Sequence, residues 1–87
     1  MQVRFSPGFD KQFIQRLTHS QQIQVLDTIE QFQDEPYHKD LRNHSLGGKW
    51  FGHRSISIGG DLRLHFRMLD NNTAYFVATG NHDQLYG

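Results

Sequence analysis

Two polar segments that each contain a histidine lie at either end of the strand-rich part of the chain. Residues 43–50 read NHSLGGKW, and residues 80–87 read GNHDQLYG. A histidine side chain has an unperturbed pKa of ~6.5, so it can donate or accept a proton near neutral pH. Because the end of a chain usually frays unless it is held or used, His44 and His82 indicate a functional site rather than a packing arrangement.

Length and composition bound the class of protein. The chain has 87 residues, the size of one domain, and no cysteine, which excludes a disulfide framework and a thiolate nucleophile. No apolar run approaches the ~20 residues that span a bilayer, and the first residues do not resemble a signal peptide. We therefore expect one domain, residues 1–87, that is cytoplasmic and makes no membrane contact.

The charges cancel overall but are unevenly distributed. Nine basic and nine acidic side chains argue mildly against a protein that binds nucleic acid through a basic excess. Five acids fall within residues 27–40, whereas residues 49–67 contain one acid, Asp61. Four cations accompany that acid: Lys49, Arg54, Arg63 and Arg67. We therefore expect a polarised molecule with a cationic surface near the histidine-bearing segments.

The apolar pattern predicts two helices after a short first strand over residues 2–5. Ser6 and Pro7 favour a helix start, and Thr18 to Gln21 has the form of a capping box. The helices are expected over roughly 7–17 and 19–33, followed by a polar loop over 34–48. The expected buried stripe of the second helix is Ile23, Leu26, Ile29 and Phe32, with Val25 on its flank.

Alternating apolar residues then predict three strands separated by turns at Gly59-Gly60 and at residues 70–72. The fold class is therefore α+β, in the order β-α-α-β-β-β, with both helices on one face of a mostly antiparallel four-stranded sheet. The helices should cover the face bearing Ile56, Ile58, Leu62, Leu64 and Phe66. The opposite, solvated face should carry His53, Ser55, Ser57, Arg63, His65 and Arg67.

A zinc site is the alternative use of so many histidines. The histidines at positions 38, 44, 53, 65 and 82 fit no common ligand spacing, and there is no cysteine to complete a set. Proximity in the sheet could still bring two histidines close to Asp61. We nevertheless expect no metal and no other cofactor.

Three segments resemble motifs of one protein family. Residues 43–54 are similar to the (D/N)H-x-L-x-G-x-(W/Y)-x-G-x-R segment of RelE/ParE-superfamily toxins, in particular the YafQ-type ribosome-dependent mRNA endonucleases. Residues 59–66 resemble that group's x-x-D-(W/L)-x-L-x-Y strand, and residues 80–87 its C-terminal G-(T/S)-H-x-x-L-(F/Y) signature. The order of predicted elements also matches across the whole chain, which implies a RelE-like fold.

The resemblance implies site roles for His44, Asp61, His82 and Tyr86 in a toxin of a type II toxin–antitoxin system. Its partners would be a cognate antitoxin and mRNA in the A site of the ribosome, next to 16S rRNA. Metal-independent cleavage of RNA uses the substrate's 2′-hydroxyl as nucleophile, so it needs a base, an acid and a group that stabilises the phosphate.

We assign the acid to His82 and the base, or its orienting group, to His44 or Asp61. Arg63, with Arg54 or Lys49, would stabilise the phosphate, and Tyr86 would stack on a base or donate its hydroxyl. His65 and Arg67 are further candidates for RNA contacts, because they share the predicted solvated face.

The chain departs from the family pattern on one strand, where Ser55 and Ser57 replace an acid and a histidine. His65 or His53 could substitute for the missing histidine. Two other functions therefore remain open. The first is a ParE-like toxin that binds DNA gyrase, and the second is a degenerate toxin that binds its antitoxin without cutting RNA.

Overall fold

A five-stranded mixed sheet organises the molecule in the computed structural model, which describes all 87 residues. The strands are β1 (Gln2–Phe5), β2 (His44–Ser45), β3 (Arg54–Gly59), β4 (Leu62–Asp70) and β5 (Thr73–Gly80), in the spatial order β1-β5-β4-β3-β2. The first strand runs parallel to β5, and every other neighbouring pair is antiparallel. The helices are α1 (Pro7–Arg16), α2 (His19–Asp34) and α3 (His82–Tyr86). This α+β architecture confirms the predicted fold class, with one strand and one helix more than expected.

Both long helices begin where the sequence predicts. The Ser6 hydroxyl accepts a hydrogen bond from the Phe9 amide (2.9 Å), and Pro7 occupies the first turn, where no amide hydrogen is needed. At the start of α2, the Gln21 amide donates to Thr18 Oγ1 (3.1 Å) and the Thr18 amide donates to Gln21 Oε1 (2.9 Å). This reciprocal capping box satisfies two amide groups that a helix start otherwise leaves unpaired.

The core lies between α1, α2 and one face of the sheet. The Phe32 ring contacts Phe66 and Phe76 edge-on, with centroid separations of 5.0 and 5.4 Å. The predicted stripe of α2 is wrong at two positions, because Ile23 and Leu26 are exposed while Val25 is fully buried. The side of α2 that faces the sheet carries Val25, Ile29 and Phe32, because the Phe32 ring packs against the strand aromatics.

The segment predicted to be a polar loop contains structure that its composition hides. Residues Lys39–Leu41 form a 3₁₀ turn, and the Leu41 side chain is buried in the core. His44–Ser45 then pairs with β3 as a fifth strand. The prediction of a loop over 34–48 is therefore wrong in part, since two residues are too few to display strand periodicity.

The prediction that the second face of the sheet is solvated is wrong at its centre. Ser55 and His65 are both buried, at 2% and 1% exposure. The covering groups are Trp50, from the 3₁₀ turn Gly48–Trp50, and Tyr86, from α3. The sequence pattern assigns both residues to the correct face, but it cannot reveal that a short helix returns over that face. None of the helices is both long and apolar enough to cross a membrane.

Candidate active site

Strand register places His44, Ser55 and His65 in one row across the sheet. His44 pairs with Ser55, Ser55 with His65, and His65 with Ala78. Directly paired residues of antiparallel strands project from the same face, with Cβ atoms roughly 5 Å apart. The two-residue strand β2 therefore brings His44 next to a row that lies far from it in the chain.

The β3–β4 hairpin places the acid Asp61 and the cation Arg63 beside this row. Gly59 and Gly60 have φ values of +132° and +54°, conformations that glycine adopts without the steric cost a Cβ imposes. Arg63 pairs across the hairpin with Ser57 and, on its other side, with Gly80. Its Nη1 donates to the Gly60 and Leu62 carbonyl oxygens, at 3.0 and 3.2 Å. These bonds hold the guanidinium close to the hairpin turn.

The third element of the site is α3, which lies in the polar segment 80–87, where the sequence analysis predicts no helix. Gly80 turns the chain at φ +157°, and Asn81 and Gln84 exchange reciprocal hydrogen bonds of 2.8 and 2.9 Å. The signal for this helix was present, since asparagine followed three residues later by glutamine has capping-box form. The helix carries His82 and Tyr86.

A cavity of about 220 Å³ lies where these three elements meet. It contains all four residues for which the family resemblance implies a role, together with Arg63 and the buried His65. Its lining residues are His44, Leu46, Ser55, Asp61, Arg63, His65, His82 and Tyr86. A larger depression of about 780 Å³ lies on α2, but acids and glutamines alone line it. Acidic side chains repel a phosphate, so we take the smaller cavity as the candidate active site.

Three of the predicted RNA-contacting cations do not line this cavity. Arg54 lies on the core-facing side of β3, where its Nε donates to Asn43 Oδ1 (2.7 Å) and its guanidinium lies 5.7 Å from the Tyr37 ring centre. Arg67 lies over the Tyr75 ring at 5.2 Å. Lys49 is exposed in the turn before β3. Arg63 is the cation that the fold delivers to the cavity.

The neutral tautomer of His44 is set by a backbone contact. Its Nδ1 lies 2.7 Å from the Arg42 carbonyl oxygen. A carbonyl oxygen can only accept a hydrogen bond, so in the neutral ring Nδ1 carries the hydrogen. The Nε2 atom then keeps its lone pair, which is the arrangement that a general base requires.

His65 differs from the other site histidines because it is buried. Burial, with the positive charges of His53, His44 and Arg63, lowers the pKa of His65 to about 4. The ring is therefore neutral at physiological pH, and its buried Nδ1 has no hydrogen-bond partner. The prediction that His65 is a solvated RNA contact is corrected accordingly, since a neutral buried ring supplies no charge to a phosphate.

Four rings connect the loop before β3 to α3. Trp50 lies edge-on to His65 with a centroid separation of 4.5 Å, and His65 lies 5.7 Å from Tyr86. Tyr86 in turn stacks on His82 at 4.8 Å and 28°. We call these four residues, Trp50, His65, Tyr86 and His82, the ring row. Trp50 Nε1 also donates to the Leu85 carbonyl oxygen (3.2 Å), a contact that sequence reasoning missed because it joins residues 35 positions apart.

Metal-ligand groups do not cluster in this molecule. No three His, Asp or Glu side chains lie close enough together to hold a metal ion. The alternative in which two histidines and Asp61 form a zinc site is therefore not assembled by the fold, although His44, His82 and Asp61 line one cavity.

Comparison with known protein families and with solved structures points to the same family. The family model described as a bacterial toxin of type II toxin–antitoxin system, YafQ, matches residues 1–87. A crystal structure of a YafQ mutant from E. coli is 22% identical with a TM-score of 0.74, covering 98% of this chain and 97% of that one. No curated protein sequence matches significantly.

Other similar structures include a complex and a more distant toxin. The YafQ chain of the E. coli DinJ–YafQ complex is 23% identical, with a TM-score of 0.70 and coverage of 98% and 97%. A YoeB/ParE toxin from Agrobacterium tumefaciens is 16% identical, with a TM-score of 0.74 and coverage of 94% and 99%. At these identities the solved structures establish the shared fold, and the family model establishes membership.

Proposed function

The chain belongs to the YafQ family of bacterial toxins of type II toxin–antitoxin systems, and we propose that it is a ribosome-dependent mRNA endoribonuclease. The observation that carries this proposal is the cavity in which His44, Asp61, Arg63 and His82 meet. Together they supply two proton-transfer groups, a carboxylate and a guanidinium, which is the set that metal-independent cleavage of RNA needs.

In the proposed reaction, a base removes the proton of the substrate's 2′-hydroxyl, and that oxygen attacks the adjacent phosphorus in line. The bond from phosphorus to the 5′-oxygen breaks, and an acid protonates the departing oxygen. The products are a 2′,3′-cyclic phosphate and a 5′-hydroxyl. Side chains of the protein accept the proton of the 2′-hydroxyl and supply the proton that the departing oxygen takes.

We assign the base to His44, because the Arg42 carbonyl leaves its Nε2 free to accept a proton. Asp61 lines the same cavity and makes no side-chain hydrogen bond within the protein. It is therefore free to orient an imidazole or the substrate hydroxyl. Of the two candidates that the sequence offers for the base, we therefore propose His44.

The acid is His82, whose side chain is 71% exposed and stacks on Tyr86. Stacking on Tyr86 orients the imidazole beside the cavity. Tyr86 is 40% exposed, so part of its side chain remains accessible to RNA.

Arg63 is proposed to stabilise the phosphate. A guanidinium has five N–H donors in a planar fork, and only Nη1 is used by the Gly60 and Leu62 carbonyl oxygens. The remaining donors suit phosphate oxygens. Because Arg63 pairs with Ser57, it stands next to the position where the family pattern has a histidine, and it compensates for that departure with fixed charge.

The neutral chain accounts for the proposed dependence on the ribosome. Lysine and arginine contacts to phosphates dominate affinity for free RNA. A chain with nine basic and nine acidic side chains provides little of that attraction. Presentation of mRNA in the A site, beside 16S rRNA, would replace it, which places the activity in the cytoplasm. We also propose that a cognate antitoxin binds the chain, as DinJ binds YafQ in the E. coli complex.

The test is primer extension on message translated in a purified system, with wild type, His82→Ala and His44→Ala. Loss of one proton-transfer group is expected to lower the rate of cleavage by ~10²–10⁴-fold. His19→Ala is the matched control, because His19 is exposed at the start of α2 and lies outside the cavity.

Cleavage by His82→Ala at the wild-type rate would overturn the assignment of the acid. Intact message with wild-type protein, together with inhibited gyrase supercoiling, would favour the ParE-like alternative. Intact message and unaffected gyrase in a chain that still binds an antitoxin would favour the degenerate toxin, which the serines at 55 and 57 keep open.

A further inference from the structure

The helix that carries His82 and Tyr86 is too short to be stable by itself. It has five residues, whereas isolated helices shorter than ~12–15 residues are marginal in water. Its capping box closes its first turn locally, but nothing in that box attaches it to the sheet. The position of the two site residues therefore depends on tertiary contacts made by the rest of α3.

Trp50 makes one of those contacts. Leu85 buries its side chain at 2% exposure, and its carbonyl oxygen accepts the Trp50 indole hydrogen. The last carbonyl groups of a helix have no partner within the helix, so this bond satisfies a group that α3 leaves unpaired. Trp50 is the only tryptophan in the chain, and its indole donates in a single direction.

Beneath Trp50 lies the buried His65 ring, which contacts both Trp50 and Tyr86 edge-on. His65 belongs to β4, the strand paired on both sides in the middle of the sheet. The ring row therefore fixes α3 to a rigid part of the fold through side chains of three different elements. His82 itself has only the Tyr86 stack and an exposed Asp83 carboxylate at 3.9 Å to orient it.

We propose that Trp50 is a positioning residue, which docks α3 onto the sheet over His65 and so fixes where His82 and Tyr86 lie above the cavity. Trp50 does not line the cavity, so it acts through α3 and not on the substrate. The activity part of this inference rests on the proposed nuclease function, whereas the docking part does not.

The first test is structural and uses amide hydrogen exchange with Trp50→Phe, which keeps an aromatic ring but removes the donor. The reporting amides are those of Leu85 and Gly87, which donate to the Asn81 and Asp83 carbonyl oxygens. We expect both to exchange about fivefold faster, the effect of losing one neutral hydrogen bond, while the amides of β4 are unchanged. Unchanged exchange in α3 would overturn the proposal whether or not the protein cuts RNA.

Phe51→Leu is the matched control, because Phe51 is the neighbouring aromatic and is 83% exposed. It should leave exchange in α3 at the wild-type rate. If Trp50→Phe does not fold, the docking can be tested on the wild-type protein. Its single indole N–H resonance should be protected from exchange, and it should lie close in space to α3 protons. A rapidly exchanging indole hydrogen would contradict the docking.

The second test separates positioning from general structural support. On translated message, Trp50→Phe should lower kcat about tenfold or more, since small misplacements of catalytic groups are costly, with KM little changed. A rise in KM alone, or a parallel loss in Phe51→Leu, would contradict the positioning role. If wild type itself leaves message intact, the nuclease proposal fails, and hydrogen exchange still decides the docking.

Discussion

The two faces of β4 are equally buried at their centres but differ in chemistry. On the helix side, Leu64 and Phe66 are at most 1% exposed, and Phe66 packs against Phe32. On the cavity side, His65 is as deeply buried, yet its Nδ1 has no partner. Burial of apolar side chains stabilises a fold, whereas burial of an unpaired polar atom costs stability. The helix side therefore contributes more to the stability of the fold than the cavity side does.

The elements that cover these faces also differ. A helix of 16 residues, α2, covers the apolar face, whereas α3 has five residues and covers the cavity side. Both begin with a reciprocal capping box. Identical local signals therefore produce one helix that belongs to the core and another whose position depends on a few contacts, a difference typical of functional segments.

The largest expected effect is a loss of stability when the apolar face is disrupted. Phe32→Ala should lower the free energy of unfolding by ~3–5 kcal/mol, because it leaves a cavity among Phe66, Phe76 and their neighbours. Urea denaturation measures this loss, and Phe32→Leu gives a smaller loss if the alanine variant does not fold. Phe51→Ala, at an exposed position, should change stability by less than ~0.5 kcal/mol. A loss below ~1 kcal/mol for Phe32→Ala would contradict this account of the core.

The next effect concerns pH and the cavity side. The pKa of His65 is lowered in the folded protein from 6.5 to about 4, so between these values the unfolded chain binds the proton more readily. Neutral His65 therefore makes its full contribution to the free energy of unfolding above pH ~6.5. That contribution is lost as the pH falls towards 4, which lowers the free energy of unfolding by up to ~3 kcal/mol.

The measurement compares the pH dependence of the free energy of unfolding in wild type and His65→Leu, between pH 4 and 7. The leucine variant cannot take up this proton, so its stability should fall less steeply in that range. Subtraction of the two profiles removes the contribution of the carboxylates. Parallel profiles would mean that His65 has an ordinary pKa and is not desolvated.

The smallest effect compares the two capping boxes. Thr18→Ala at the start of α2 should cost ~1 kcal/mol of global stability and leave cleavage of message unchanged. Asn81→Ala removes the equivalent bond at α3, where it should loosen only that helix and lower the cleavage rate. Urea denaturation and primer extension on both variants measure the contrast. Equal losses of global stability would contradict the view that α3 opens independently of the core.

Most of the fold could be predicted from local patterns, and the failures share one cause. The capped starts of α1 and α2 and the Gly59-Gly60 turn are local signals, and they are confirmed. The stripe of α2 and the solvated face failed at Leu26 and His65, where the outcome depends on what packs above the residue. A helix of five residues and a strand of two are shorter than the stretches of sequence over which periodicity reveals such elements.

The candidate site was only partly accessible to the same reasoning. The motifs name His44, Asp61, His82 and Tyr86, and the fold brings all four to one cavity. Among the cations, strand alternation predicted the face of the sheet that Arg63 occupies, whereas the hydrogen-bond partners of Arg54 and Arg63 depend on the tertiary structure. The role proposed for Trp50 depends on a hydrogen bond to Leu85 that no local pattern encodes.

Residue types, spacing and caps determined by themselves the fold class, the order of the longer elements and the chemistry that the protein can attempt, because these depend on neighbours along the chain. Tertiary structure alone decided that His65 is neutral, that Arg54 and Lys49 lie outside the cavity, and that α3 lies over the sheet. Desolvation and packing act between residues that are distant in sequence, so their results appear only when the strands have paired and the last helix has docked.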